Sequence, residues 1–473
     1  MSAALAQAPT LVLRRPRAKG VAHLVLRVAP GRGQVAREAL RMFERNALPG
    51  CFGSHAPDAT QPQATYAFTW RGLQALGVPR PYLRTFSRLA PAFAEGAPLR
   101  GGRLGDSGAS SPSHWRSGFA LDAAHVLLTL HGPPQTVEQW ASDLQQCAGE
   151  YDALVCVDLT LGQRLGHPQG AQGEWVHFGF RDGLTDHAIE DVPESGPPLP
   201  VLRWHRAGEF LLGHENDAGF NRFALESAPA LVRSFFHHGS FVAYRPMRQD
   251  VQAFEHFVDA AWASLRAQTA RTDVPREWVK AKLAGRWPGG EALRPGQQRP
   301  TPGDFDLRDF AGDDEGVGCP FASHVRRMRP RGADAHDRER PLLRRSMPFG
   351  DAVWEAAEQG AAAIPPGDRG LLGLFFCASL EDQFEHLLGQ WANRRPLGVA
   401  DTSRAKDPLI GEHEDPRAGM QIPLGRGRVA TLHGWQAWTR TLGTLYAWCP
   451  GRDGLGLLLA GEYTRPEDEG PWL

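Results

Sequence analysis

The sequence predicts an α+β fold made of two tandem ferredoxin-like domains, each an antiparallel sheet with helices on one face. In the first half, strand-like and helix-like stretches follow one another as β-α-β-β-α-β, the order typical of a ferredoxin-like domain. The second half repeats that order more loosely. We therefore predict a first domain over 21–235 and a second over 236–473, after a disordered N-terminal tail over 1–20.

The elements of the first half follow from the period of their apolar residues. Alternating or continuous apolar runs predict strands, and wider apolar spacing predicts amphipathic helices. The predicted strands are 21–29, 64–70, 124–132 and 153–162, and the predicted helices are 33–47 and 136–147.

The second half contains the same kinds of element with longer connections between them. The predicted strands are 239–247, 370–379 and 443–450, and the predicted helices are 251–268 and 380–393. The connection over 285–319 is rich in glycine and proline and has no periodicity. Connections of this length in a compact protein are usually functional or disordered.

Composition excludes two classes of partner. The chain of 473 residues has 52 basic and 53 acidic residues and a net charge of −1. This balance argues against a nucleic-acid or anionic-membrane partner. No apolar run reaches the roughly 18 residues of a membrane-spanning helix. Arg14-Arg15 resembles the start of a twin-arginine export signal, but no apolar segment follows, so we expect a cytoplasmic protein.

Three residues are candidates for chemistry. Asp182 lies between two glycines in "HFGFRDGLTD", His324 lies in "GCPFASHVRRMRPRG", and Arg344 lies in "RPLLRRSMPFG". Asp-Gly is a common turn dipeptide, so Asp182 is either a turn residue or an acid/base on a constrained loop. A lone histidine is more often a packed or surface residue than a ligand. The arginines after His324 form either a solvated face or an anion clamp. The residues alone therefore indicate an anion or cofactor site.

Taken in order, these motifs resemble a known family. "GFRDG" (179–183), "CPFASHVRRMRPRG" (319–332) and "LLRRSMPFG" (342–350) are similar to motifs of the dye-decolorizing peroxidases, haem enzymes built from two ferredoxin-like domains. The resemblance extends over roughly 60–450. It also includes 68–79, 208–217, 239–254, 281–290, 374–393 and 407–412.

The resemblance implies a haem b cofactor held mainly by the second domain, with His324 as the axial ligand of the iron. It places Asp182 and Arg344 on the opposite, distal face of the haem, as acid/base and as a fixed positive charge. It also implies that Asp407 accepts the second ring N–H of His324. A helix or turn cap is the alternative role for Asp407.

The resemblance further implies contacts around the haem. Arg331, together with Arg326 or Arg329, would pair with a haem propionate. Leu374 and Phe376, two residues apart on a predicted strand, would share a face and line the distal pocket.

The implied activity is reduction of hydrogen peroxide with oxidation of small aromatic donors such as dyes and phenolics. The alternative is a haem-binding or haem-handling protein of the same fold with little peroxidase activity. A homo-oligomer is compatible with the resemblance. The sequence departs from the family pattern at Thr185-Asp186-His187, directly after the distal motif.

Overall fold

The computed structural model describes residues 3–46, 50–53, 63–167, 173–192, 201–269, 273–305, 312–329, 339–394, 406–415 and 417–463. Its strands are β1 (Gly20–Val28), β2 (Gln63–Phe68), β3 (Val126–Gly132), β4 (Leu154–Gln163), β5 (Glu174–Val176), β6 (Phe180–Asp182), β7 (Asp186–Ile189), β8 (Val201–His205), β9 (Ser240–Gln249), β10 (Leu343–Arg344), β11 (Met347–Phe349), β12 (Gly370–Cys377), β13 (Met420–Gly425), β14 (Arg428–Leu432), β15 (Thr439–Thr441) and β16 (Leu445–Cys449).

The α-helices are α1 (Thr10–Leu13), α2 (Gly33–Asn46), α3 (Trp70–Ala75), α4 (Arg80–Leu89), α5 (Pro91–Glu95), α6 (Gly101–Leu104), α7 (Pro134–Glu150), α8 (Ala230–Phe236), α9 (Val251–Thr269), α10 (Arg276–Ala284), α11 (His324–Met328), α12 (Trp354–Glu358) and α13 (Arg452–Ala460). Single 3₁₀ turns lie at Ala3–Gln7, Ala97–Arg100, Gly108–Ser110, Pro112–His114, Ser117–Phe119, Ala207–Glu209 and Ala361–Ala363. Residues 380–392 form a wider helix of π-type turns, here called the 380–392 helix. No helix within the described ranges combines the length and apolar character needed to cross a bilayer.

The central sheet confirms the predicted fold class. Its order is β10-β12-β9-β16-β2-β3-β1-β4, with β11 and β15 pairing at β12 and β9. The first half has the order β4-β1-β3-β2, and the second half has the order β16-β9-β12-β10. In each half, the fourth strand along the chain therefore lies beside the first, and the third and second strands follow. This is the same antiparallel arrangement in both halves. The halves join where Trp448 of β16 meets Phe68 of β2, so the two predicted sheets form one continuous sheet.

The helices of the first half close directly over its sheet. In α2 the buried residues Ala36, Ala39, Leu40 and Phe43 recur at helical spacing. They join residues of β1, β2, β3 and α7 in one hydrophobic cluster. This half therefore has the close-packed core that the apolar periodicity predicts.

The first helix of the second half packs elsewhere. The buried residues of α9, including Phe254 and Phe257, belong to a separate cluster with α10, β13 and β14. That cluster contains no residue of β9, β12 or β16 among the described positions. In this half, α9 does not close over the sheet.

The N-terminal segment differs from its prediction as a disordered tail. Leu5, Leu11 and Val12 are buried in the cluster that covers the other face of the sheet. The backbone carbonyl of Leu11 accepts a hydrogen bond from Arg345 Nε at 2.8 Å. The apolar residues of "TLVL" explain the difference, because they cover sheet residues that would otherwise be exposed to water.

Candidate active site

His324 is the first residue of α11, and the carboxylate of Asp407 holds its ring. The ring nitrogen Nδ1 lies 2.9 Å from Asp407 Oδ2. Asp407 is fully buried, whereas about a quarter of the His324 side chain is exposed. Because a carboxylate accepts hydrogen bonds, this contact favours a proton on Nδ1 and leaves the lone pair on Nε2. Among the described residues, Nε2 makes no hydrogen bond.

Asp407 combines the two roles that its sequence position left open. Its Oδ2 contacts His324, and its Oδ1 accepts the backbone N–H groups of Leu409 at 2.9 Å and Ile410 at 3.1 Å. Burial alone raises the pKa of this carboxyl. The electrostatic interaction and hydrogen bond with His324, followed by the charge of Arg327, outweigh burial and hold the pKa below its ordinary value. Asp407 is therefore both a turn cap and a charged partner for His324.

Asp182 ends a β-hairpin rather than standing in an isolated turn. It is the last residue of β6 and faces Glu174 of β5. The turn requires Gly179, at φ +76°, and the chain leaves the hairpin at Gly183, at φ +69°. The two glycines that suggested a constrained loop thus reverse the chain before Asp182 and release it afterwards.

Arg344 of β10 donates a hydrogen bond from Nη2 to Asp182 Oδ1. Asp182 is largely buried, whereas half of the Arg344 side chain is exposed. Burial alone raises the pKa of Asp182, but the charges of Arg344 and then Arg15 overcome it, so the pKa lies below the ordinary 3.8. Asp182 is therefore ionised at neutral pH, next to a guanidinium group.

Arg345 and Asp186 form a second pair beside the first. Arg345 Nη1 donates to Asp186 Oδ2 at 2.8 Å, and the Arg345 side chain is buried. Two successive arginines thus bind two carboxylates four residues apart, and Arg345 also bonds the N-terminal segment through Leu11. Asp186, in the stretch that departs from the family pattern, therefore anchors the loop after Asp182.

Helix α10 connects the His324 segment with the Asp182 hairpin. Lys280 Nζ donates to the carbonyl oxygen of Phe178 in the hairpin at 3.2 Å. Two residues later, the carbonyl oxygen of Lys282 accepts a bond from Ser323 Oγ at 2.5 Å, immediately before His324. A single helix thus fixes both segments.

The 380–392 helix connects His324 with Arg344 in a similar way. Arg327, on α11, donates from Nη1 to the carbonyl oxygen of Trp391 at 2.7 Å. Gln383 Nε2 donates to the carbonyl oxygen of Pro341, just before β10, at 2.6 Å. Arg100 of the first half anchors the helix through a buried two-point contact with Glu385, at 2.5 and 2.6 Å. The three candidate residues are therefore attached to one framework.

The predicted pocket-lining pair, Leu374 and Phe376, faces away from Arg344. Arg344 pairs with Phe375 across β10 and β12, and directly opposed residues point to the same face. Leu374 and Phe376 lie on the other face, buried with the N-terminal segment. The prediction chose the correct strand but residues of the opposite face, because neighbouring residues of a strand point to opposite faces of the sheet.

The residues of β12 that share the face of Arg344 are Leu371, Gly373 and Phe375. Leu371 and Phe375 are half-buried. A Cβ added to Gly373 would lie 2.6 Å from the Phe375 ring, so this ring occupies the space above the glycine. Phe375 is therefore the apolar side chain that lies beside Arg344 on this strand.

Arg326 does not fit its predicted role as a propionate contact. It is buried, its Nη1 donates to the carbonyl oxygen of Cys319 at 2.7 Å, and both Nη atoms contact Asp313. Its guanidinium carbon lies 4.2 Å from the centre of the Phe321 ring. Arg326 thus ties the preceding loop to α11, because a buried guanidinium needs all these acceptors. Arg331 lies outside the described residues.

The sequence reasoning missed Arg15. It donates from Nη2 to Glu174 Oε2 at 3.1 Å, and Glu174 is the cross-strand neighbour of Asp182. A Cβ on Gly183 would lie 2.7 Å from the Arg15 guanidinium, so a glycine is needed there. In the sequence, Arg14-Arg15 resembles only the start of an export signal. Nothing in the local sequence links it to a residue far along the chain.

The curated proteins that this chain matches in sequence are peroxidases. The chain is 28% identical over 375 residues to a dye-decolorizing peroxidase of Mycena epipterygia, covering 74% of this chain and 66% of the relative. It is 28% identical over 381 residues to one of Auricularia auricula-judae, covering 75% and 68%. A multifunctional dye peroxidase of Amycolatopsis sp. is 27% identical over 395 residues, covering 80% and 76%. The chain thus spans about two thirds of the length of the fungal relatives.

Solved structures show the same fold. A dye-decolorizing peroxidase crystal structure superposes with a TM-score of 0.77 at 19% identity, covering 98% of this chain and 99% of that one. A structure of such an enzyme in complex with 2,6-dimethoxyphenol gives a TM-score of 0.75 at 21% identity, covering 96% and 98%. No protein-family model matches the chain. The chain is thus similar in sequence to curated dye-decolorizing peroxidases and shares the fold of their solved structures, as the motifs of the sequence predict.

Proposed function

We propose that this protein is a haem peroxidase that reduces hydrogen peroxide and oxidises small aromatic donors. The observation that carries the proposal is the ion pair between Asp182 and Arg344, attached to the same framework as His324. A protein that only binds haem needs an axial ligand and contacts to the propionates. It does not need a charged carboxylate held against a guanidinium group.

The residues around His324 fit a haem. A neutral imidazole whose Nδ1–H is bound by a buried carboxylate is the usual form of an iron-ligating histidine, and Nε2 is then the ligand atom. His324 would hold the iron. Leu371 and Phe375, on the same face of the sheet as Arg344, would supply apolar contacts to the haem. When bound, haem supplies the electrons that reduce the peroxide and recovers them from the organic donor.

Asp182 performs the proton transfers in this proposal. Its ionised carboxylate accepts a proton from one oxygen of hydrogen peroxide and returns it to the other oxygen, which leaves as water. The low pKa of Asp182 keeps the carboxylate ready to accept that proton at neutral and mildly acidic pH. Arg344 places a fixed positive charge where negative charge develops during O–O cleavage.

The donor class follows from the relatives. One structural neighbour is a complex with 2,6-dimethoxyphenol, and the curated relatives are named for decolorizing dyes. We propose phenolics and dyes of this kind as donors. The alternative function is haem binding or haem handling without turnover, which requires His324 but not Asp182 or Arg344.

The test compares the haem-loaded wild type with His324→Ala. The wild type is expected to show a haem Soret absorption band and to oxidise 2,6-dimethoxyphenol with hydrogen peroxide. The variant is expected to retain less than about a tenth of the haem. His433→Ala, at an exposed histidine, is the matched control and should keep its haem. A full haem complement in His324→Ala would exclude the ligand assignment. A haem-loaded wild type that does not react with peroxide would favour the alternative function.

A further inference from the structure

Three histidines outside the proposed active site converge at the junction of the two halves. His214 follows the 3₁₀ turn Ala207–Glu209, and His237 and His238 connect α8 to β9. One ring nitrogen of each lies within 4.8 Å of the other two, and all three side chains are half-buried. We refer to them as the three-histidine cluster.

Backbone hydrogen bonds hold the two segments of the cluster together. Leu212 N–H donates to the Gly239 carbonyl oxygen at 2.7 Å, and His238 N–H donates to the Leu212 carbonyl oxygen at 3.1 Å. His237 Nε2 lies 3.1 Å from the carbonyl oxygen of Gly213, which orients the ring. A Cβ on Gly213 would lie 2.1 Å from that ring, so the close approach requires glycine. The rings therefore do not converge by rotation of free surface side chains.

The ring nitrogens of two members already face each other. His214 Nε2 lies 2.9 Å from His238 Nδ1, so one of these two atoms carries a proton and the other a lone pair. A metal ion between them needs lone pairs on both. The proton then moves to the other nitrogen of its own ring, which leaves each imidazole neutral and releases no net proton.

Within the described part of the chain, no arginine or lysine is hydrogen-bonded or ion-paired with a member of the three-histidine cluster. A metal ion bound there would not have to share its ligands with a positively charged side chain.

A second group, His187, His205 and Glu339, also brings possible metal ligands together, but its surroundings disfavour a cation. Glu339 is paired with Arg203 at 3.0 Å and with Arg329 at 2.9 Å. A metal ion there would have to share the carboxylate with two guanidinium groups. The three-histidine cluster has no such competition.

We propose that the three-histidine cluster binds one divalent transition-metal ion, with zinc as the probe. Imidazole suits Zn²⁺, and Zn–N bonds of about 2.0–2.1 Å in tetrahedral geometry place the ligand nitrogens about 3.3–3.4 Å apart. Rotations that move each of the most distant nitrogens by less than about 1 Å achieve this spacing. The bound ion would cross-link the loop after Ala207–Glu209 to the connection between α8 and β9, leaving a fourth position for water.

The experiment measures zinc binding to the haem-loaded, full-length chain. After treatment with a chelator, the protein is dialysed against zinc, and the ratio of zinc to protein is determined by mass spectrometry of the metals. One zinc per chain is expected in the wild type. His214→Gln and His238→Asn are expected to weaken binding by at least about 100-fold, since even outer partners contribute 10- to 100-fold. Asparagine tolerates the left-handed backbone of His238, at φ +62°.

Thermal unfolding provides a second readout. Zinc is expected to raise the Tm of the wild type and to leave the Tm of His214→Gln and His238→Asn unchanged. His433→Ala and His187→Ala are controls that should bind one zinc. His324→Ala should also bind zinc, which separates this proposal from the proposed function. No zinc in the wild type, full zinc in both cluster variants, or loss of zinc in His187→Ala alone would each overturn the assignment.

Discussion

The two halves of the molecule have the same strand order and different helix packing. In the first half, α2 and α7 share one hydrophobic cluster with the sheet. In the second half, α9 packs with α10, β13 and β14 in a cluster without residues of β9, β12 or β16. One sheet topology therefore carries a first helix that closes over the sheet in the first half and a first helix that packs away from the sheet in the second.

The candidate site draws mainly on the half whose first helix leaves the sheet. The residues assigned to chemistry, His324 and Arg344, come from the second half, and Asp182 reaches it on the β5–β6 hairpin. Helix α10 and the 380–392 helix hold these residues through hydrogen bonds, and Leu380 and Phe384 of the 380–392 helix also pack on the sheet.

The largest effect is expected for Asp182→Asn, which removes the proposed base. The rate constant for reaction with hydrogen peroxide should fall by about 10²- to 10⁴-fold, because an amide cannot accept the proton. Stopped-flow absorption measures this rate. Asp143→Asn, on the exposed side of α7 in the first half, is the control and should react like the wild type. An unchanged rate in Asp182→Asn would remove Asp182 from the mechanism.

Asp407→Asn is expected to have the next largest effect. The amide keeps the size of the side chain and removes the charge that orients His324, so haem affinity should fall by about 10- to 100-fold. Haem transfer to apomyoglobin measures the affinity. Asp415→Asn, outside the contacts of His324, should retain wild-type affinity. Equal affinities in wild type and Asp407→Asn would reduce Asp407 to a turn cap.

Hydrogen exchange tests the contrast between the halves directly. Haem binding should slow exchange of amides in α10 and the 380–392 helix by at least about tenfold, since haem stabilises the state in which these helices hold the site. Amides of α2 and α7 should exchange at similar rates with and without haem. If haem slowed amide exchange equally in both halves, the result would contradict a cofactor site held mainly by the second half.

The smallest effect concerns pH. Arg344 lowers the pKa of Asp182 in the folded protein, so Arg344→Leu should raise that pKa. As the pH is lowered, the rate of the peroxide reaction should then begin to fall at a higher pH in the variant than in the wild type. Arg15→Leu should move the profile in the same direction by a smaller amount, as Arg15 is the weaker influence. The same depressed pKa means that Asp182 stabilises the fold above pH 3.8, and that this stabilisation is lost on further acidification. If the acidic limb of the pH profile moved to lower pH in Arg344→Leu, the result would contradict the assignment of Asp182 as the base.

Local sequence predicted the elements well because apolar period and turn residues act over short distances. The predicted strand 370–379 corresponds to β12 over Gly370–Cys377, and the helix 251–268 corresponds to α9 over Val251–Thr269. The prediction that Asp407 contacts His324 agrees with the 2.9 Å separation of Nδ1 and Oδ2. The roles of His324, Asp182 and Arg344 remain predictions with the tests given above.

Predictions failed where the answer depended on contacts between distant segments. Leu374 and Phe376 were predicted on the wrong face, because only the pairing of Arg344 with Phe375 decides which residues of β12 share the face of Arg344. Arg326 was predicted as an anion contact, but Asp313 and Cys319 bind it. The N-terminal segment was predicted to be disordered, although Arg345 and the buried cluster hold it.

The sequence by itself determined the order of strands and helices, the duplicated ferredoxin-like fold and the motifs that resemble a peroxidase. Apolar periodicity and short motifs are local, so they can be read without knowing the rest of the structure. Only the tertiary structure decided that α9 leaves the sheet, that Arg15 and Arg344 lie beside Asp182, and that His214, His237 and His238 converge. Those arrangements depend on which surfaces pack together and which buried charges find partners, and these are properties of the whole folded chain.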